Sequence, residues 1–181
     1  DGGIYRGQRG RMEIRIDSPD PFKQVGEILT KGMNVMDGYY NNPEASNTVL
    51  SPDGWLHTGD LGVLDPDGYL YIKGRSKSLI LGPSGQNIYP EEIEDLLNAQ
   101  PYIAESLVIE REGKLVALVY PDAEAMKQNK ISRETLLKII HETRKQINQQ
   151  IPAYSQIARI EIHDEEFEKT PKRSIKRFLY Q

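Results

Sequence analysis

Cysteine is absent from the 181-residue chain. That excludes disulfides and thiolate zinc sites, and it fits a reducing, cytoplasmic setting. Histidine occurs only at positions 57, 141 and 163, without the close spacing of a metal-ligand set, so none is assigned to metal binding or catalysis. No apolar run approaches the roughly 18 residues of a membrane span, and no secretory signal pattern is present. An excess of positive charge is also missing. Net charge is −4 and the pI is near 5.5, which argues against a nucleic-acid partner, because phosphate neutralisation needs a basic surface. The exception is local: Lys169 to Arg177 holds five cations in nine residues. An initiating methionine is lacking too, and the opening DGGIYRGQRG is expected to be the interior of a larger chain.

What is present is a soluble-type composition, with 38% hydrophobic and 28% charged residues, laid out in two styles. Up to about residue 75 the chain reads as short strands between Gly/Pro turns: RMEIRID, GEILTKG, WLHTGDLGVL and YLYIKG, separated by DSPDP, SPDG and DPDG. Asn42 is positioned to cap a short helix that has Pro43 in its first turn. Trp55, the Tyr39–Tyr40 pair and the aromatic alternation of YLYI are expected to pack. From SKSLILG, read as a strand, the pattern changes. Pro90 opens a helix whose Glu91 and Glu92 suit the positive end of its dipole. IAESLVIE, KLVALVYPD and ARIEIHD read as strands, and Leu136, Ile140, Thr143, Ile147 and Ile151 recur at helical spacing behind Ser132 as N-cap. The fold expected is α+β: a short β-rich segment over 1–76, then over 77–181 a small domain of mainly antiparallel sheet with two helices.

Three stretches carry candidate chemistry. Asp60, in Thr58-Gly59-Asp60, is an acceptor-only carboxylate between glycines. It can accept two hydrogen bonds from a vicinal diol, or it can merely cap its own turn together with Thr58. Fifteen residues later stands Gly74-Arg75-Ser76-Lys77, whose arginine can fork onto a phosphate or sit in a surface charge cluster. The loop Gly82–Pro90 lacks the spacing of a P-loop.

In sequence order, GEILTKGMNVMDGYYNNPEAS, DGWLHTGDLG, DGYLYIKGRSKSLILGPSGQNIYPEEIE and EKTPKRSIKR resemble the C-terminal part of the AMP-forming acyl-CoA synthetases. These belong to the adenylate-forming superfamily, with luciferase and the peptide-synthetase adenylation domains. HTGDLG and IYPEEIE look most like long-chain fatty-acyl-CoA ligases. The resemblance runs from about Gly10 to the end and rests on four motifs in order. It implies that Asp60, with Thr58, meets the ribose of ATP or AMP and that Arg75 contacts ribose or phosphate. It makes Lys77 the hinge of a mobile C-terminal domain, and it places Ser84, Gly85 and Gln86 along the pantetheine arm of coenzyme A. The implied reaction joins a fatty acid to CoA through acyl-AMP and pyrophosphate, with ATP, CoA and Mg2+ and with an upstream large domain of the same chain.

Two departures go with it. The phosphate loop and acyl pocket of that family have no counterpart in this sequence, so the chain is expected to be an inactive C-terminal fragment of a ligase. The tail pattern Pro-Lys-Thr-x-x-Gly-Lys, laid on 168–174 without gaps, puts Ser174 at the catalytic lysine. Lys172 and Lys176 flank it, and an extended segment would place 172, 174 and 176 on one face. Lys176 is preferred because Arg177 keeps the local frame. The competing expectation is a non-catalytic binding or regulatory module of the same fold.

Overall fold

A computed structural model describes residues 4–6 and 12–181. The chain divides into two compact units, Asp1–Lys77 and Ser78–Gln181.

The first unit is a five-stranded antiparallel sheet in chain order: β1 (Ile4–Arg6), β2 (Met12–Asp17), β3 (Gly26–Gly32), β4 (Leu56–Leu64) and β5 (Leu70–Arg75). Alternation along β2 puts Ile14 and Ile16 on one face, where they pack with Ile28, Leu64 and Leu70. Between β3 and β4, helix α1 (Pro43–Val49) starts where Asn42 accepts the Ala45 amide at 3.0 Å. Trp55 is buried, with the Arg15 guanidinium over its ring at 5.0 Å. The other aromatics do not pack as expected: Tyr39, Tyr40, Tyr69 and Tyr71 are exposed. Ile16, Ile28 and Leu64 are buried together on one face of the sheet, and Leu29, the next residue along β3, is buried as well.

The second unit begins with a hairpin, β6 (Ile80–Leu81) and β7 (Asn87–Ile88). The SKSLILG stretch is therefore not one strand. Ser76–Ser78 forms a 3-10 turn and only Ile80–Leu81 is extended. Helix α2 (Pro90–Asn98) leads into β8 (Ile103–Arg111) and β9 (Lys114–Pro121), an antiparallel pair. The chain then crosses through α3 (Ala123–Gln128) and α4 (Arg133–Gln150) to β10 (Ile157–Ile162), which pairs parallel with β9. A parallel pair needs such a crossover. Ser132 caps α4 through the Thr135 amide, and Leu136, Ile140, Thr143 and Ile147 form its buried stripe. The short α3 is a helix beyond the two expected. Its N-cap is Asp122, which accepts the Ala125 amide.

The three-stranded sheet is buried on both faces. Val108, Ala117 and Val119 meet Ile93 and Leu97 of α2 and Leu136, Ile140 and Ile147 of α4. On the opposite face Leu107, Ile109, Val116 and Leu118 are covered by Phe167, Ile175 and Tyr180 of the C-terminal tail. The tail is thus a layer of the fold. Lys169 bridges Ile175, Thr170 donates to the Ser174 carbonyl at 2.8 Å, and Arg173 has φ +62. Residues 170–174 close as a turn, so the extended geometry that would align Lys172, Ser174 and Lys176 is not the one adopted. A residue in the left-handed region reverses the chain where extension would continue it.

Candidate functional site

The first cluster forms where β4 bulges. Glu27 pairs with Leu61 and Leu29 with His57, so residues 58–60 stand opposite the single residue Ile28. The surplus is accommodated by Gly59 at φ +72, a conformation that favours glycine. A Cβ there would meet Arg75 Nη2 at 3.8 Å and Ser76 Oγ at 3.9 Å, ordinary contacts, so conformation and not space asks for glycine. The Thr58 hydroxyl donates to the Ile28 carbonyl at 2.7 Å and accepts the Asp60 amide at 3.1 Å. Glu27 closes the bulge from β3: Oε1 accepts the Gly59 amide and Oε2 meets His57 Nδ1, both at 2.9 Å.

Thr58 and Glu27 therefore do the turn-capping, and the Asp60 carboxylate points elsewhere. It meets Arg75, its register partner on β5, at 2.5 Å. The Asp60 side chain is 34% exposed and that of Arg75 57%. An ion pair this open adds little stability, about 0–1 kcal/mol, but it leaves a carboxylate and a planar guanidinium side by side and accessible. One accepts from paired hydroxyls and the other donates to an oxyanion.

The second cluster is the β6–β7 loop. Gly82 donates to the Gln86 carbonyl at 2.8 Å and Gly85 donates to the Gly82 carbonyl at 2.9 Å. Gly85 has φ +81, and a Cβ added there would meet nothing within 4 Å, so the loop faces open space at that point. Ser84 and Gln86 line a cavity of about 430 Å3 with Leu81, Leu115 and Tyr154. Gln86 Oε1 is buried without a protein hydrogen-bond partner.

The third cluster is the tail. Lys176 is tied to Glu168 twice, by its amide to the carbonyl at 2.8 Å and by Nζ to the carboxylate at 3.1 Å. Lys169 lies between Glu105 at 2.5 Å and Glu166 at 2.6 Å, and these bonds, Glu105 first, hold its ammonium above the usual lysine range. Lys172 and Ser174 are exposed in the turn. Arg177 reaches into the fold, to the carboxylate of Glu94 and to Glu91 at 3.6 Å. Burial pushes the Glu94 carboxyl up, against the lowering pull of Arg177 and of the Val108 amide.

The histidines stay apart. His57 serves Glu27, His141 is exposed on α4, and His163 stacks on Phe167. Among the described residues no group of three or more His, Cys, Asp or Glu could hold a metal ion, and no helix is long and apolar enough to cross a membrane.

Glu27 and Glu94 stand out only in the fold. Glu27 has no local signature, because its partners lie 30 and 32 residues away. Glu94 does leave a trace: a carboxylate on the apolar side of its helix, beside Ile93 and Leu97.

The second unit is an α+β domain with its basic tail as one of its layers, and it follows in the chain a sheet that presents an aspartate–arginine pair. The chain belongs to the family described as AMP-binding enzyme C-terminal domain, which it matches over residues 77–180. It is 46% identical over 110 residues to sulfoacetate–CoA ligase of Cupriavidus necator, covering 60% of this chain and 21% of that protein. To 2-succinylbenzoate–CoA ligase of Bacillus cereus it is 41% identical over 136 residues, 73% of this chain and 27% of the relative. The chain thus spans about a fifth to a quarter of the length of the curated relatives it matches. Among solved structures, o-succinylbenzoate coenzyme A synthetase from Bacillus subtilis in complex with AMP superposes with a TM-score of 0.71 at 29% identity, over 94% of this chain and 34% of that one. The amide bond synthetase of Marinactinospora thermotolerans shares the fold, with a TM-score of 0.73 at 22% identity over 93% and 33% of the two chains.

Proposed function

We propose that this chain serves an AMP-forming acid–thiol ligase. A carboxylate attacks the α-phosphate of ATP to give acyl-AMP and pyrophosphate, and the CoA thiol then displaces AMP. The observation that carries the reading is the Asp60–Arg75 pair, set at one register position beside a bulge that others cap. Asp60, with Thr58 beside it holding the bulge, accepts the ribose hydroxyls, and Arg75 donates to ribose or phosphate. Ser84, Gly85 and Gln86 line the pantetheine arm of CoA, in keeping with the open space beside Gly85. No residue is assigned to Mg2+, which would arrive with the nucleotide phosphates and neutralise their charge. A related synthetase of Bacillus subtilis has been solved with ATP and a magnesium ion.

In this reading residues 1–76 end a large catalytic domain and residues 77–181 are the mobile one, turning at Lys77. Lys77 closes the first compact unit. The acid is the open variable. A fatty acid is the expectation from HTGDLG and IYPEEIE, whereas the relatives are named for sulfoacetate, indoleacetate and 2-succinylbenzoate. The reaction is placed in the cytoplasm, with ATP and CoA at hand.

Lys176 is the cation assigned to the α-phosphate. Its backbone is fixed by Glu168 and it adjoins the anchored Arg177, the preorganisation that electrostatic catalysis needs. The second reading, a non-catalytic module, draws on Ser174 at the lysine position and on Glu168 neutralising Lys176. Lys172→Ala and Lys176→Ala in the complete ligase, with the half-reactions measured apart, decide between them. Lys176→Ala should raise the adenylation barrier by about 3 kcal/mol and spare thioester formation. Small, equal effects from both would favour the second reading.

A further inference from the structure

A carboxylate buried to 8% exposure is an expensive thing to keep in a core. Glu94 does not stand alone there. Its Oε1 accepts the Val108 amide of β8 at 2.6 Å, and its Oε2 takes a guanidinium nitrogen of Arg177. Arg177 also donates to the Val108 carbonyl at 3.3 Å. Helix α2, strand β8 and the tail are thus joined at one point, and the residue before Arg177 is Lys176.

For stability alone the arrangement is poor. Replacing a buried ion pair by apolar side chains of similar volume is often neutral or stabilising, and apolar neighbours are at hand in Ile93 and Leu97. What an apolar contact would not supply is direction. The tail rests on the sheet through Phe167, Ile175 and Tyr180, a non-directional apolar contact; Lys169 on Glu105 ties its first arm to β8, and Arg177 is the tie beside Lys176 on the second. The planar fork of Arg177 on a carboxylate and a carbonyl fixes it.

We propose that Glu94, acting through Arg177, is a positioning residue that sets the register of the 168–177 hairpin and thereby the place of the lysine used in adenylation. The proposal rests on the ligase reading above.

The test uses Glu94→Gln and the double variant Glu94→Met/Arg177→Met. In the 181-residue chain, hydrogen exchange is followed at the Arg173 and Lys176 amides, which donate within the tail hairpin. Exchange there should quicken by roughly tenfold or more in both variants while the β9 amides stay protected. In the complete ligase, adenylation should fall on the order of tenfold or more in both, as a small misplacement of a catalytic group can cause. Thioester formation from added acyl-adenylate should stay within about twofold. The apolar pair should at the same time restore the melting temperature, which separates position from stability. If the double variant recovers adenylation as well as melting temperature, or if tail exchange does not change, the proposal is overturned. A loosened tail with full adenylation also overturns it. If Lys172→Ala and Lys176→Ala are equally silent in that case, the reading of the tail beneath it falls too.

Discussion

At the scale of single residues, the site is decided by what each polar group is already bonded to. Asp60 has the two readings of any Thr-Gly-Asp turn, and the structure separates them by occupancy. The Asp60 amide goes to Thr58, the Gly59 amide goes to Glu27, and the Asp60 carboxylate goes to Arg75. A side chain that is not needed to hold its own turn can be removed with little effect on the fold. Asp60→Ala should therefore leave the melting temperature nearly unchanged and weaken nucleotide use by about 1.5–3 kcal/mol, the range for hydrogen bonds to a charged group. Titration of ATP in the complete ligase reads this directly, and an unchanged ATP dependence would return Asp60 to a local role.

At the scale of elements, two devices matter: the β4 bulge and the tail hairpin. Three residues facing one make the bulge, and Glu27 on the neighbouring strand holds it open. Glu27→Ala removes both of its bonds, to Gly59 and to His57. It should raise the KM for ATP roughly tenfold, about 1.4 kcal/mol, with little change in the KM for CoA, because the loop at Ser84–Gln86 is a separate element. Equal changes in both would mean that Glu27 supports the fold generally. Much of this level was legible in the sequence. Period-2 alternation located β2 and the flanking glycines and Gly/Pro turns located β3 and β4, all nearly residue for residue, and helical spacing with Ser132 located α4. The rest was not, for physical reasons. Glu94 and Arg177 meet across 83 residues, a distance over which local pattern carries no information. The turn at 170–174 depends on Arg173 entering the left-handed region, where glycine or asparagine would have signalled it. The aromatic alternation of YLYI looked like packing because alternation reports two faces without saying what covers each.

At the scale of the whole molecule, the chain is two units joined at Lys77–Ser78, with the Asp60–Arg75 pair in the first and the Ser84–Gln86 loop and basic tail in the second. If the ligase alternates between its half-reactions by turning the second unit, the joint must change backbone angles. Lys77→Pro fixes φ near −65°. It should leave one half-reaction near its normal rate and slow the other by at least about tenfold; normal rates for both would remove Lys77 as the hinge. The central claim, that this chain serves AMP-forming acid–thiol ligation, is tested most directly by the products. The complete ligase is incubated with ATP, CoA and a panel of carboxylic acids that includes a fatty acid, sulfoacetate, indoleacetate and 2-succinylbenzoate, and the nucleotide and thioester are identified by mass spectrometry. The account predicts AMP, pyrophosphate and one acyl-CoA, formed in equal amounts and only with the cognate acid; ADP and phosphate, or AMP that appears without any acid, would contradict it.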